Sequence, residues 1–328
     1  MKPWLLLAYK MLRPRTVLMM LLFAAIGDAA TKQTSEYDYR LALIPILLGC
    51  LFIGATTVND IADEEIDKIN LASDKRRPLA VASAQKKHLR ILNIIAFVVS
   101  LLIAVAIKPV LLILVLFASG LGYIYSMPPI KISHRGFLAP LLLPINYVLL
   151  PFLVGASLHT GGWNGQVGVL LLGLYVSFIG RIILKDFRDI KGDTMFGKRT
   201  FLVRHGAKKT CLVAGIAWVF GDMIVSSIFI TKEPMLVVLL QPFVGSIIFT
   251  LYKLSDENQL QRQLTLVNLV GRLGNSVALS ILTVLSLRFY HYGPMKDGML
   301  LILVTSVSIY ASYFLYDLYL KQGILAKT

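Results

Sequence analysis

Val58-Asn59-Asp60-Ile61-Ala62-Asp63-Glu64-Glu65-Ile66-Asp67 places five acids within eight residues, directly after a long apolar run. In a soluble chain such a stretch reads as a solvated helix end. The run before it is long enough to cross a bilayer, so here the acids mark the mouth of a membrane helix. A second stretch, Lys185-Asp186-Phe187-Arg188-Asp189-Ile190-Lys191-Gly192-Asp193, begins its acids 126 residues after Asp60. Asp60, Asp63 and Asp67 stand at i, i+3 and i+7, as do Asp186, Asp189 and Asp193. On an α-helix that spacing puts three carboxylates on one face.

The rest of the composition agrees with a membrane setting. The 328 residues are 56% hydrophobic and 16% charged, with a mean hydropathy of +0.72. Continuous apolar runs of this length predict an all-α, polytopic helical bundle, because a helix satisfies its own backbone in lipid. A transmembrane barrel would alternate instead. Spans are expected at about 16–31, 41–60, 90–107, 110–126, 138–158, 166–184, 210–230, 235–252, 265–287 and 298–319, after an interfacial helix over 3–12 carrying Trp4 and Tyr9. The start has no recognisable cleavage site, so the first span is expected to act as the insertion signal. Cys50 and Cys211 lie inside apolar runs, which argues against a disulfide framework and against zinc.

The net charge of +15 follows topology rather than nucleic-acid binding. With loops numbered from a cytoplasmic N-terminus, most of the 33 Lys and Arg fall on the cytoplasmic side and 6 on the other, with Arg181 and Arg272 inside spans. The 60s stretch, the 130s loop and the 186–193 stretch then share the cytoplasmic side of the membrane (the plasma membrane in a prokaryote). Two pseudo-related helical halves are expected, about 10–158 and 159–290, with the C-terminal span 298–319 beyond them.

Three carboxylates on one face repel one another and need cations. Two such sets suit a hard divalent ion of the Mg²⁺ type, held by a few carboxylates, water and substrate phosphate. The substrate is then an anion that brings its own oxygens, such as a diphosphate. Asn59 adds a neutral oxygen beside Asp60. Arg13, Arg77, Lys131 and Lys185 are the cations placed to stabilise a leaving diphosphate. Arg76, Lys86 and Lys87 read as ordinary positive-inside residues, and Glu64 and Glu65 fall off the acidic face. Arg181 and Arg272 lie in or near spans, where a charge has either a function or an acidic partner.

These motifs resemble the UbiA superfamily of intramembrane prenyltransferases. Asn59-Asp60-x-x-Asp63-x-x-x-Asp67 resembles its first signature and Asp186-x-x-Asp189-x-x-x-Asp193 its second. Tyr125-Ser126-x-Pro128-Pro129-x-Lys131 is similar to its intervening Tyr/Lys loop, Arg13-Pro14 to the opening of its first helix, and Arg77-Pro78-Leu79 to the segment after the first signature. The resemblance covers about residues 10 to 290. It implies a bundle, commonly of nine spans, around a central, laterally open cavity. It also implies two Mg²⁺ ions between the six aspartates and a polyprenyl diphosphate, and prenyl transfer to an aromatic or lipid acceptor. Ten apolar segments are one more than the usual nine, and Ser133 and His134 stand where many relatives have a second base. Two rival readings remain at this stage: phosphoribosyl transfer to a polyprenyl phosphate, and a secondary transporter with acids as cation sites.

Overall fold

A computed structural model describes residues 3–287, apart from Ser35, Tyr37, Ala72, Ser73, Lys75, Arg76 and Thr160. The expected span 298–319 lies outside the described residues. The described residues are mostly helical, with almost no sheet. Eight helices are long and apolar enough to cross a membrane, and Leu111–Ser126 is a shorter apolar helix. These coincide with the first nine runs read from the sequence. The chain is thus an integral, multi-pass membrane protein. Among the described residues it divides into two compact units, the first within 1–28, 36–161 and 189–204, the second within 29–35, 162–188 and from 205 onward.

In the first unit, α1 (Pro3–Leu12) and α2 (Pro14–Thr31) lead through a 3-10 turn, Tyr39–Leu43, into α3 (Ile44–Ala62). The chain continues through α4 (Glu64–Asn70), α5 (Lys86–Ile107) and α6 (Leu111–Ser126). The run Leu138–Ala156 comprises α7 (Leu138–Pro144), a π turn (Ile145–Leu149) and α8 (Leu150–Ala156). The π turn follows Pro144, whose ring removes one backbone donor from the helical ladder. α3 is the centre of this unit. It packs on α5 and α6, and Leu47, Leu48, Phe52, Leu111 and Val115 form a shared apolar core. Lipid gives no hydrophobic drive between helices, so close approach and polar ties decide the packing. Asn93 of α5 supplies one tie, donating to Gly54 O and Thr57 Oγ1, each at 2.9 Å. α2 meets α8 so closely that a Cβ on Gly155 would lie 1.9 Å from Ala24 O. The outward face of α5 carries Ile94, Ile95, Val98, Leu102 and Val105, exposed as lipid-facing residues are.

The second unit contains α9 (Gly165–Ile182), a 3-10 turn (Ile183–Lys185), most of α11 (Phe201–Phe229), α12 (Pro234–Ser255) and α13 (Leu260–Leu287). Asn164 caps α9, its Oδ1 accepting from Val167 N at 3.1 Å. α11 breaks at Gly206, where φ is 76°, a conformation that favours glycine. α12 packs on α13, and α13 on α9.

α10 (Asp186–Met195) continues the α9 run without a loop, and its residues from Asp189 onward belong to the first unit. A two-residue parallel pair then joins β1 (Arg135–Gly136) to β2 (Arg199–Thr200), with Arg135 opposite Arg199. This pairing ties the 130s loop to the segment after α10, which brings two basic loops onto the acidic residues.

Candidate active site

α3 ends at Ala62, and Asp63 leaves helical geometry at φ −108° and ψ 18°, while its N–H still donates to Asn59 O. α4 resumes at Glu64. This corrects the expectation of one unbroken helical face for Asp60, Asp63 and Asp67. The break falls where like charges a turn apart make a continuous helix least favourable. All three carboxylates are buried nonetheless, at 2%, 5% and 7% exposure.

Four cations close on them within the first unit. Arg13 Nη2 lies 2.7 Å from Asp60 Oδ1. Arg77 Nη1 pairs with the same oxygen and lies 2.9 Å from Asp67 Oδ2. Lys131 Nζ stands 3.6 Å from Asp63 Oδ1. Lys198 Nζ lies 3.7 Å from Asp63 Oδ2 and 3.5 Å from Asp193 Oδ1, and so bridges the two acidic sets. Asn59 Nδ2 donates to Asp63 Oδ2 at 3.2 Å, which leaves the amide's Oδ1 as the neutral oxygen expected from sequence. Arg13 and Lys131 both sit at positive φ, 44° and 42°. Such a backbone costs of order 1–3 kcal/mol in a non-glycine residue and persists only where its surroundings hold it.

The second set arrives on α10. Asp193 is buried at 1% exposure and Asp189 is half-buried. Gly192 N donates to Asn70 Oδ1 at 2.6 Å, clamping the end of α4 to α10. A Cβ on Gly192 would lie 2.7 Å from that amide. Lys185 closes the 3-10 turn and Asp186 is buried at the first residue of α10, both in the second unit. Tyr125 is half-buried in the last turn of α6.

Burial, reinforced by Asp60, Asp189 and Asp63, raises Asp67 to about 7 although Arg77 opposes the shift. Burial and the Lys131 and Lys198 cations push His134 down, so it adds no second positive charge to the 130s loop at neutral pH. Glu64 and Glu65 turn away from the cluster. Glu64 pairs with Lys86 at 2.7 Å and Lys68 at 3.1 Å, and the 66%-exposed Glu65 pairs with Lys68 at 2.8 Å.

The donor set fits a hard divalent cation. It is built of carboxylate oxygens, and among the described residues Asp60 Oδ2 and Asp63 Oδ1 are buried without a hydrogen-bond donor. Among the same residues no three His, Cys, Asp or Glu side chains form a ready cage. Mg²⁺ suits that arrangement, since it keeps water and substrate oxygens in its shell.

Sequence reasoning missed Lys198, Asn70 and Gly192. A signal for Lys198 was present: a basic group follows each acidic set, Lys75-Arg76-Arg77 after the first and Lys198-Arg199 after the second. The Asn70–Gly192 clamp is a tertiary contact with no local signature.

A family model described as the UbiA prenyltransferase family matches residues 20–270. A digeranylgeranylglyceryl phosphate synthase of Sulfurisphaera tokodaii is 26% identical over 210 residues, covering 63% of this chain and 73% of its own. A chlorophyll synthase of Arabidopsis thaliana is 30% identical over 192 residues, covering 55% of this chain; the chain spans about half of that relative, 49%. A UbiA homologue of Archaeoglobus fulgidus, solved with GPP and Mg²⁺, superposes with a TM-score of 0.65 at 18% identity, over 84% of this chain and 99% of that one, a likeness of fold.

Proposed function

The chain belongs to the UbiA prenyltransferase family, and from that premise we propose that it is a Mg²⁺-dependent enzyme moving a prenyl group from a polyprenyl diphosphate to an acceptor within the membrane. The observation that carries this reading is the buried cluster of Asp60, Asp63, Asp67 and Asp193 interleaved with Arg13, Arg77, Lys131 and Lys198. Buried carboxylates and cations in such numbers suit a site that receives both a metal and a polyanion.

In this account Asp60, Asp63, Asp67, Asp186, Asp189 and Asp193 hold Mg²⁺, two ions serving the two sets, with Asn59 orienting Asp63. When bound, the metal supplies Lewis-acid stabilisation of the departing phosphate oxygen. Arg13, Arg77, Lys131, Lys185 and Lys198 receive the diphosphate, exchanging carboxylate oxygens for phosphate oxygens as charge builds there. Tyr125, in the last turn of α6, is assigned as a further substrate contact. The allylic C–O bond breaks with its electron pair leaving on diphosphate. The acceptor's nucleophile then bonds to the allylic carbon, and its proton passes to a nearby base.

A glyceryl phosphate lipid is the acceptor class best supported. The synthase relative carrying that name aligns over 73% of its own length, against about half for the chlorophyll synthase, and the support for an aromatic acceptor is correspondingly weaker. Phosphoribosyl transfer ranks below both, and the carrier reading is set aside on family membership. The charge bias of the loops supports a cytoplasmic site. Mass spectrometry of lipids from membranes overexpressing the chain tests the reading: a new prenylated lipid is expected, absent from the Asp63→Ala control. A lipid profile indistinguishable from that control would count against it.

A further inference from the structure

We propose that Arg181, in the second unit, anchors the anionic headgroup of the acceptor, a phosphate or a carboxylate. The proposal rests on the prenyl-transfer reading but concerns residues outside the acidic cluster.

Arg181 stands on α9 five residues before Asp186, roughly 8–9 Å away along a helical run that includes the 3-10 turn. It lies within a candidate membrane span, where an isolated charge is costly and ordinarily has a partner. The sequence allowed for an acidic partner, but the structure supplies a neutral one: Nη1 donates to Asn275 Oδ1 on α13. The guanidinium also lies 5.6 Å from the centre of the Phe178 ring. Among the described residues no carboxylate pairs with it. A guanidinium carries five N–H donors and accepts nothing, so most of its donors are left for another group.

The surroundings are shaped as a niche. α13 presents Gly271, Gly274 and Asn275 at i, i+3 and i+4, a single helix face. A Cβ on Gly271 would lie 3.4 Å from Arg181 Nη2, and one on Gly274 would lie 3.8 Å from Nη1 and 2.7 Å from Trp218 Cη2. The face is therefore bare where guanidinium and indole approach it. Trp218 is 4% exposed, and its Nε1 is buried without an acceptor among the described residues. The indole edge that carries this N–H lies against Gly180 and Gly274. Arg181 is half-buried, so part of its surface is open to a ligand. A cation without an acid and an indole N–H without an acceptor are complementary to an oxyanion, and the Phe178 and Trp218 rings suit an apolar or aromatic body behind it.

The test measures binding to the purified full chain in lipid nanodiscs without Mg²⁺ or donor. The probes are a prenylated glyceryl phosphate, the alcohol left on removing its phosphate, and hydroxybenzoate. Wild type is expected to bind one anionic probe at least about tenfold more tightly than the neutral alcohol, as a charge-assisted bidentate contact allows. Which anion is preferred identifies the headgroup. Arg181→Met should abolish that preference, and Arg181→Lys should retain part of it. The Met variant should melt at the wild-type temperature or above, because it removes a charge lacking a carboxylate. Trp218→Phe, which removes the N–H together with part of the indole ring, should weaken the anion by roughly two- to fivefold relative to the alcohol. In turnover the Arg181 loss should fall on the acceptor KM with the donor KM unchanged. Equal binding of phosphate and alcohol by wild type would overturn the proposal. So would undiminished anion binding by the Met variant, a fall in its melting temperature, or an equal rise in donor KM. Failure of the prenyl-transfer reading would show separately, as absent diphosphate release with anion binding intact.

Discussion

The two acidic stretches share a spacing but occupy unlike frames. Asp60, Asp63 and Asp67 straddle a helix break and are all buried, whereas Asp186, Asp189 and Asp193 ride one unbroken helix on which Asp189 stays half-buried. Arg13, Arg77, Lys131 and Lys198 converge on the first set, and Lys198 reaches across to Asp193 of the second. The same sequence motif can therefore carry different energetic weight. A carboxylate deprived of water depends on its partners, while one at a half-exposed position is partly solvated and tolerates change.

That difference predicts unequal losses. Asp63→Ala should lower the rate of diphosphate release by about a thousandfold, and Asp189→Ala by about a hundredfold, the range expected on removing one preorganised electrostatic group. Both variants should accumulate in membranes at near-normal levels. Equal losses in side-by-side rate measurements would break the comparison.

Arg77→Met probes the first set through stability. It leaves Asp60 and Asp67 buried without the guanidinium that now joins them. Removing one partner of a buried pair costs about 3–5 kcal/mol, to be read as a lowered unfolding midpoint in detergent. Lys131→Met should shift that midpoint far less, because Lys131 is 26% exposed and its contact is 3.6 Å long.

Gly192→Ala tests the link between the two sets. The added methyl would displace the Asn70 amide and break its 2.6 Å bond to the Gly192 N–H. A shift of the second set against the first should cost roughly ten- to a hundredfold in kcat, as misplacement of reacting groups does. Asn70→Ala should reproduce much of this loss without the steric clash, and wild-type kcat in both variants would remove the clamp from the account.

The smallest effect is expected at the edge of the first set. Glu65 is 66% exposed and pairs only with Lys68 among the described residues, so Glu65→Gln should change stability by less than about 0.5 kcal/mol and leave the rate unaltered. A clear loss of rate would draw Glu65 into the site.

Spans and motifs were legible because they are written in local pattern. Among the described residues, continuous apolar runs identify the eight candidate spans and the shorter apolar helix Leu111–Ser126, and the aspartate spacing marks both acidic stretches. What was not legible depends on contacts remote in sequence. The break at Asp63 falls among charges that an ideal helix would stack, so the i, i+3, i+7 pattern grouped Asp60, Asp63 and Asp67 through a local geometry that the chain does not adopt. Lys198 joins Asp63 from 135 positions away, with β2 setting the segment beside the 130s loop. Arg181 was conspicuous as a charge in a span, but only the structure shows Asn275 where an acid was the ordinary expectation.

The central claim is that the buried aspartate–cation cluster binds Mg²⁺ and a prenyl diphosphate. The direct measurement is diphosphate release by the purified chain in nanodiscs, using geranyl, farnesyl and geranylgeranyl diphosphates with lipid and aromatic acceptors. The account predicts release that requires Mg²⁺, stops with a chelator, and falls about a thousandfold in Asp63→Ala. Release that persists without Mg²⁺, or that Asp63→Ala retains at the wild-type rate, would contradict it.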